Sequence, residues 1–156
     1  MCGIIGMIGN TSVVPSILEG LRRLEYRGYD SAGIAVLNQG TLDRRRAAGK
    51  IAKLENELRK KPLDGNTGIG HTRWATHGVP NVVNAHPHVS GSVSVVHNGI
   101  IENHKQLREE LVSLGFAMET ETDTEVAAHL IKYYHDRGFT PEKMMRAIID
   151  RLSGAY

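Results

Sequence analysis

The segment that decides the reading is Met1–Gly9, MCGIIGMIG. Its apolar residues predict a first strand buried on both faces. The chain's only cysteine, Cys2, stands at the head of that strand, directly behind the initiator methionine. One reading makes Cys2 a small buried apolar residue. The other follows from its position. Cysteine is small and so is Gly3, so removal of Met1 is expected to proceed, leaving a thiol and a free α-amine on one residue. An α-amine titrates at about 8 and can take the thiol proton directly or through a water, with no histidine required. Position alone does not choose between the two; the rest of the sequence has to.

Working outward, Ser12 is expected to cap a helix running to about Tyr26, with Val14, Ile17, Leu18, Leu21 and Leu24 at helical spacing and Pro15 in the first turn. SAGIAVLN and TLDRRRAAG flank Gln39-Gly40 and read as a hairpin. A short helix covers Ile51–Lys60. TGIGHTRW and SVSVVH read as strands around an irregular stretch, ATHGVPNVVNAHPHVSG. Helices follow over about 103–113, 124–137 and 141–152, with Thr140 as cap and Pro141 in the first position of the last. The closing SGAY reads as a turn entering a strand that is not completed. This mixture predicts an α+β chain with sheet layers and helices outside, without repeats, linkers or an internal domain boundary.

The 156 residues suffice for one core. Nineteen basic against 17 acidic residues give a net charge of +2, too balanced to name nucleic acid or an anionic membrane as the main partner. The run Arg44-Arg45-Arg46 is expected to be a solvated hairpin flank. No apolar stretch has the ~20 residues that span a bilayer, no signal peptide is visible, and one cysteine closes no internal disulfide. A reducing, cytoplasmic setting is expected.

A thiol nucleophile needs an oxyanion hole and a grip on its substrate. Asn98-Gly99, between two apolar runs, is a hairpin signal; it also places a side-chain amide and a backbone N–H where both can donate to one developing oxyanion. Arg73, beside Trp74 at a strand end, is either a surface charge or a fork for a substrate carboxylate. In ETDTEV, Thr122 and Glu125 have capping-box spacing, which leaves Asp123 spare to meet an ammonium. Thiol, cation and anion together describe an enzyme acting on an α-amino acid amide, glutamine or asparagine. Five of the eight histidines fall between His71 and His97. A His-rich metal-binding module is the competing reading, but no second cysteine and no carboxylate–histidine helix motif supports it; structural histidines around a polar loop are expected.

In order, MCGIIG, LEYRGYDSAG, HTRWATHG, NAHPH, VVHNGIIEN and ETDTEV resemble the glutaminase domain of the isomerizing glutamine–fructose-6-phosphate aminotransferases, over essentially the whole chain. The resemblance implies a class II glutamine amidotransferase with the N-terminal-nucleophile αββα sandwich, and no cofactor. It implies Cys2 as nucleophile, Asn98 and Gly99 as oxyanion hole, Arg73 and Asp123 as the grip on the α-carboxylate and α-amine, and Trp74, Thr76 and His77 as the loop bordering the pocket. Arg27 and Asp30 lie in its YRGYDSAG segment. Phosphoribosyl-diphosphate amidotransferases are similar but differ in wording in that segment and in the arginine loop. The family's glutaminase domain runs on past SGAY, so 1–156 is expected to be a partial domain, incomplete at its C-terminus, exposing an apolar sheet edge or face and only marginally stable. The sugar-isomerase domains, through which fructose 6-phosphate would be bound, are absent, and the full-length enzyme is implied to be a homodimer.

Overall fold

The computed structural model describes all residues, Met1–Tyr156. Strands β1 (Gly3–Ile8), β2 (Ser31–Asn38), β3 (Thr41–Ala48) and β4 (Thr67–Arg73) form an antiparallel sheet in the order β1-β4-β2-β3. Alternation along β2 fixes what each face meets. Ala32, Ile34 and Val36 join Ile17 and Leu21 of helix α1 (Val14–Leu24) and Ile51 and Leu54 of helix α2 (Ile51–Lys60) in the first core. The alternate residues Ser31, Gly33 and Ala35 are small, and they are buried against the second layer. At Gly33 a Cβ would lie 2.2 Å from the carbonyl oxygen of His86, so the 84–88 segment lies directly on the sheet there.

The second layer holds two short antiparallel ribbons, β5 (His88–Ser90) with β6 (Val93–Val95), and β7 (Ile100–Ile101) with β8 (Gly154–Ala155). Helices α3 (His104–Ser113), α4 (Thr124–His135) and α5 (Pro141–Ile149) back these ribbons. Ile101, Leu107, Leu111, Val126, Leu130 and Ile148 make the second core. The layers thus run helix, sheet, sheet, helix, as the fold class predicts. Gln39 and Gly40, with φ of 48° and 80°, form the two-residue hairpin turn between β2 and β3. The Thr140 side chain accepts from the Lys143 N–H as cap of α5.

Five expectations are corrected. Asn98-Gly99 closes no hairpin, since β6 pairs with β5 and β7 with β8. β1 is not buried on both faces: it is an edge strand paired only with β4, and Ile8 is 82% exposed. Its Ile5 and Met7 pack on the first core, whereas Ile4 and Ile8 point to the other side and remain open to solvent. Ser12 does not cap α1; Val13 holds that position, and its N–H goes to the Gly65 carbonyl at 2.9 Å. The stretch expected to be irregular contains β5. The arginine run is not simply solvated. Arg44 and Arg46 share the β3 face turned to the second layer; Arg44 donates to the Pro87 carbonyl, and Arg46 to those of Val83 and Ala85. Burial lowers Arg46 to about 10. These two guanidiniums hold the 83–87 backbone against the sheet.

Because the His86 carbonyl occupies the space a side chain would need, Gly33→Ala is expected to push the 84–88 segment off the sheet at a cost of about 1–3 kcal/mol. Chemical denaturation of the variant against the parent chain measures it.

Candidate active site

Pairing sets the site. Gly3 faces Thr72 in the β1–β4 ladder, so Cys2 comes level with Arg73 on the side of the second layer. The Gly3 N–H donates to Thr72 Oγ1 at 3.2 Å. The Cys2 thiol lies 3.4 Å from the Trp74 N–H, which donates to it. The Cys2 backbone N–H donates to Asn98 Oδ1 at 3.3 Å, and the Cys2 carbonyl accepts from Arg27 Nε at 3.2 Å. Cys2 is therefore tied to three segments at once.

A cavity of about 240 Å³ opens beside the thiol, sized for an amino acid rather than a drug-like ligand. Cys2, Arg73, Trp74, Thr76, His77, Asn98, Gly99 and Asp123 all line it; every site residue singled out from the sequence meets at this one place. Sequence reasoning did not place His86, His97, Thr122 or Thr124 at the pocket, though they line it too; it gave Thr122 only a capping role. Their only signal was their neighbourhood within NAHPH, VVHNGIIEN and ETDTEV.

Arg73 is 3% exposed and forms no ion pair; its guanidinium donates to the carbonyls of His77, Gly78 and Val79, so the cation also shapes its own loop. Asp123 is 4% exposed and is likewise without a cation; one carboxylate oxygen accepts from the Ile101 N–H at 2.8 Å. It stands at the start of α4 without capping it, where the helix dipole favours an anion. Thr122 Oγ1 takes the Glu125 N–H instead. The box is not reciprocal, since Glu125 turns to the N–H groups of Glu119 and Thr120. A buried cation and a buried anion, unpaired, on one cavity leave room for a ligand carrying both charges in reverse.

The segment after α1 braces the rim. The Asp30 carboxylate accepts from the Ala75 N–H and from Ser31 Oγ, and the Asp30 N–H donates to the Arg73 carbonyl at 3.3 Å. Trp74, half exposed, meets Tyr29 edge to face at 5.7 Å.

Three of the histidines, His71, His86 and His88, pack ring against ring as a cluster. His71 lies 4.1 Å from His86 and His86 4.6 Å from His88, ring centre to centre, and no three His, Cys, Asp or Glu side chains gather as a metal site. Burial lowers His71 and His88 to about 3 and His86 well below the ordinary range. Glu125 behaves oppositely. Burial alone raises a carboxyl, but the nearby His129 imidazole and the donors of Glu119 and Thr120 outweigh it and bring Glu125 down to about 2.

Residues 71–156 match the family model described as glutamine amidotransferase domain, and the chain belongs to that family. Over all 156 residues it is 56% identical to the isomerizing glutamine–fructose-6-phosphate aminotransferase of Mesorhizobium japonicum, covering 26% of that protein. The glutamine phosphoribosylpyrophosphate amidotransferase of B. subtilis, solved with ADP and GMP, superposes with a TM-score of 0.81 at 28% identity, over 99% of this chain and 33% of that one. A structure described as the allosteric regulatory enzyme of purine biosynthesis gives 0.82 at 31% identity, over 100% and 34%. The fold is that of the N-terminal-nucleophile amidotransferases. The chain spans about a quarter of the length of the curated relatives it matches. No helix is long and apolar enough to cross a membrane.

The three clustered histidines set a pH response. An unfolded histidine binds its proton near 6.5, whereas folded His71 and His88 do so only near 3. Their contribution to stability is full above about 6.5 and lost as pH falls toward 3. At pH 5 these three histidines are expected to take up about three protons on unfolding, each steepening the fall by about 1.4 kcal/mol per pH unit. Glu125 enters only below about 4.5, where its depressed carboxyl begins to matter. Denaturation midpoints between pH 7 and 5 check this, and His88→Asn should remove one proton from the count.

Proposed function

We propose that this chain is the glutamine-hydrolysing part of an isomerizing glutamine–fructose-6-phosphate aminotransferase, residues 1–156 forming part of its glutaminase domain. The observation that carries the reading is the meeting of the lone thiol, the Asn98–Gly99 turn, the unpaired cation of Arg73 and the unpaired anion of Asp123 on one cavity. L-Glutamine has the matching parts: a carboxylate for Arg73, an ammonium for Asp123 and an amide carbonyl for Cys2. Trp74, Thr76 and His77 border the substrate.

With Met1 removed, the Cys2 nitrogen becomes an α-amine, and the same Asn98 Oδ1 that accepts the peptide N–H remains beside it. The amine takes the thiol proton as the sulfur attacks the side-chain amide carbon. The carbonyl electrons move to oxygen, where Asn98 Nδ2 and the Gly99 N–H stabilise the oxyanion. When the oxyanion collapses, the carbon–nitrogen bond breaks and the amine returns the proton to the leaving nitrogen, which departs as ammonia. Water then attacks the γ-glutamyl thioester, giving up a proton to the amine; the carbon–sulfur bond breaks, the thiol recovers that proton and glutamate leaves. In the whole enzyme the ammonia would convert fructose 6-phosphate to glucosamine 6-phosphate on the sugar-isomerase domains, in a cytoplasmic homodimer.

The phosphoribosyl amidotransferase reading shares the thiol and the fold. The 56% identity to the sugar enzyme, against 28% and 31% to the purine-pathway structures, favours the sugar acceptor. Cys2→Ala is expected to abolish glutamine hydrolysis, and a chain with Met1 retained to lose nearly all of it. Asn98→Ala should lower kcat by about 10²–10³-fold. Steady-state assays check these, and mass spectrometry after treatment with an electrophilic glutamine analogue should find the adduct on a chain starting at Cys2. Full activity with Met1 in place would remove the amine as base; stoichiometric zinc without any adduct would favour the metal-binding module.

A further inference from the structure

His71 has no part in the chemistry above, yet it is fully buried on β4, two residues before Arg73 and on the same face. Its Nε2 lies 3.0 Å from the carbonyl oxygen of His97. A carbonyl oxygen only accepts, so the ring hydrogen must sit on Nε2. The ring stays neutral throughout the physiological range, because burial lowers it to about 3. This donor therefore neither titrates nor switches tautomer while its hydrogen bond lasts.

The accepting carbonyl belongs to the peptide that joins His97 to Asn98. That peptide is planar, so fixing its oxygen fixes the direction of the Asn98 N–H and limits how Asn98 can rotate. The constraint matters because residues 96–99 belong to no strand; the ladder resumes only at Ile100–Ile101. Besides His71, the turn is fastened by His97 Nδ1, 3.1 Å from Thr124 Oγ1, by the Cys2 N–H on Asn98 Oδ1, and by the Ile101 N–H on Asp123. Two of these ties lead to groups that themselves take part in the proposed reaction: the nitrogen of Cys2 and the carboxylate of Asp123. The His71 tie leads instead into the rigid centre of the four-stranded sheet.

We propose that His71 is a positioning residue for the oxyanion hole: its Nε2–H anchors the His97 carbonyl to β4 and thereby aims the donors of Asn98 and Gly99 at the carbonyl above Cys2. The proposal rests on the reading of Asn98 and Gly99 as oxyanion donors. Arg73 and Asp123, which would grip the substrate, have their own supports, so the effect should fall on the chemical step rather than on binding.

The test compares His71→Phe, which keeps a planar ring but has no donor, with His71→Gln, whose amide can reach the same carbonyl. His71→Asn, whose amide stops short of it, replaces the Phe variant should that fail to fold. H71F is expected to lower kcat for glutamine about 10²-fold, the scale of a misplaced reacting group, with KM little changed, and H71Q to recover most of the loss. Amide hydrogen exchange over residues 97–101 should quicken in H71F and return toward the parent rate in H71Q. Equal losses in H71F and H71Q, or unaltered exchange over 97–101, would overturn the proposal. A parent chain that turns over no glutamine would defeat the proposed function, while the exchange comparison would still decide whether His71 holds the turn.

Discussion

The site depends on one pairing, Gly3 against Thr72. A Cβ on Gly3 would lie 2.7 Å from both Leu24 Cβ and Thr72 Oγ1, so no other residue lets the chain end approach β4 so closely. That pairing brings Cys2 level with Arg73 and turns its side chain toward the second layer. A slip of one residue would carry the thiol to the α1 side, away from Asn98 and Asp123. The short loop after β4 then finishes the arrangement, since Trp74 donates its N–H to the thiol while Asp30 holds the neighbouring Ala75.

Around that pairing, polar contacts join the second layer to the sheet and supplement its own apolar core. Arg44 and Arg46 reach across from β3 to three backbone carbonyls, His88 meets Thr122, and His129 meets Ser90. Glu125 accepts from two loop N–H groups, those of Glu119 and Thr120, and so ties that loop to α4. Irregular backbone can lie inside a protein only on such terms. Much of the cavity wall is irregular backbone, from Trp74, Thr76, His77, His86 and 97–99, so its shape depends on such contacts.

Features with a local cause were legible in the sequence. Gln39-Gly40 announced its hairpin because the turn needs positive φ at both residues, and Thr140-Pro141 announced α5 because cap and first turn are chemically distinctive. The residues that meet at the cavity could be picked out from the sequence because a thiol, a cation, an anion and an amide–glycine pair carry unlike chemistry that few structural roles require. What depends on partners distant in sequence was not. The exposure of Ile4 and Ile8 follows from β1 having one neighbour instead of two. Three residues of β5 are too few to show a period. Arg44 and Arg46 read as surface charges because nothing near them in the chain reveals that carbonyls forty residues away lie above their strand. His71 was hidden for the same reason: its partner, His97, belongs to another layer.

A cavity whose walls present a cation, an anion and a sulfur at three separate points can tell left from right. Any two of them would hold an amino acid or its mirror image equally well; the third decides which one brings its amide to the sulfur. On the reading offered here, handedness of the substrate is enforced by Arg73, Asp123 and Cys2 jointly, and the D-enantiomer would be held with its amide pointing away from the reacting atom. Stereochemical choice is then a property of the fold as a whole, since the three residues come from the end of β4, the start of α4 and the beginning of the chain.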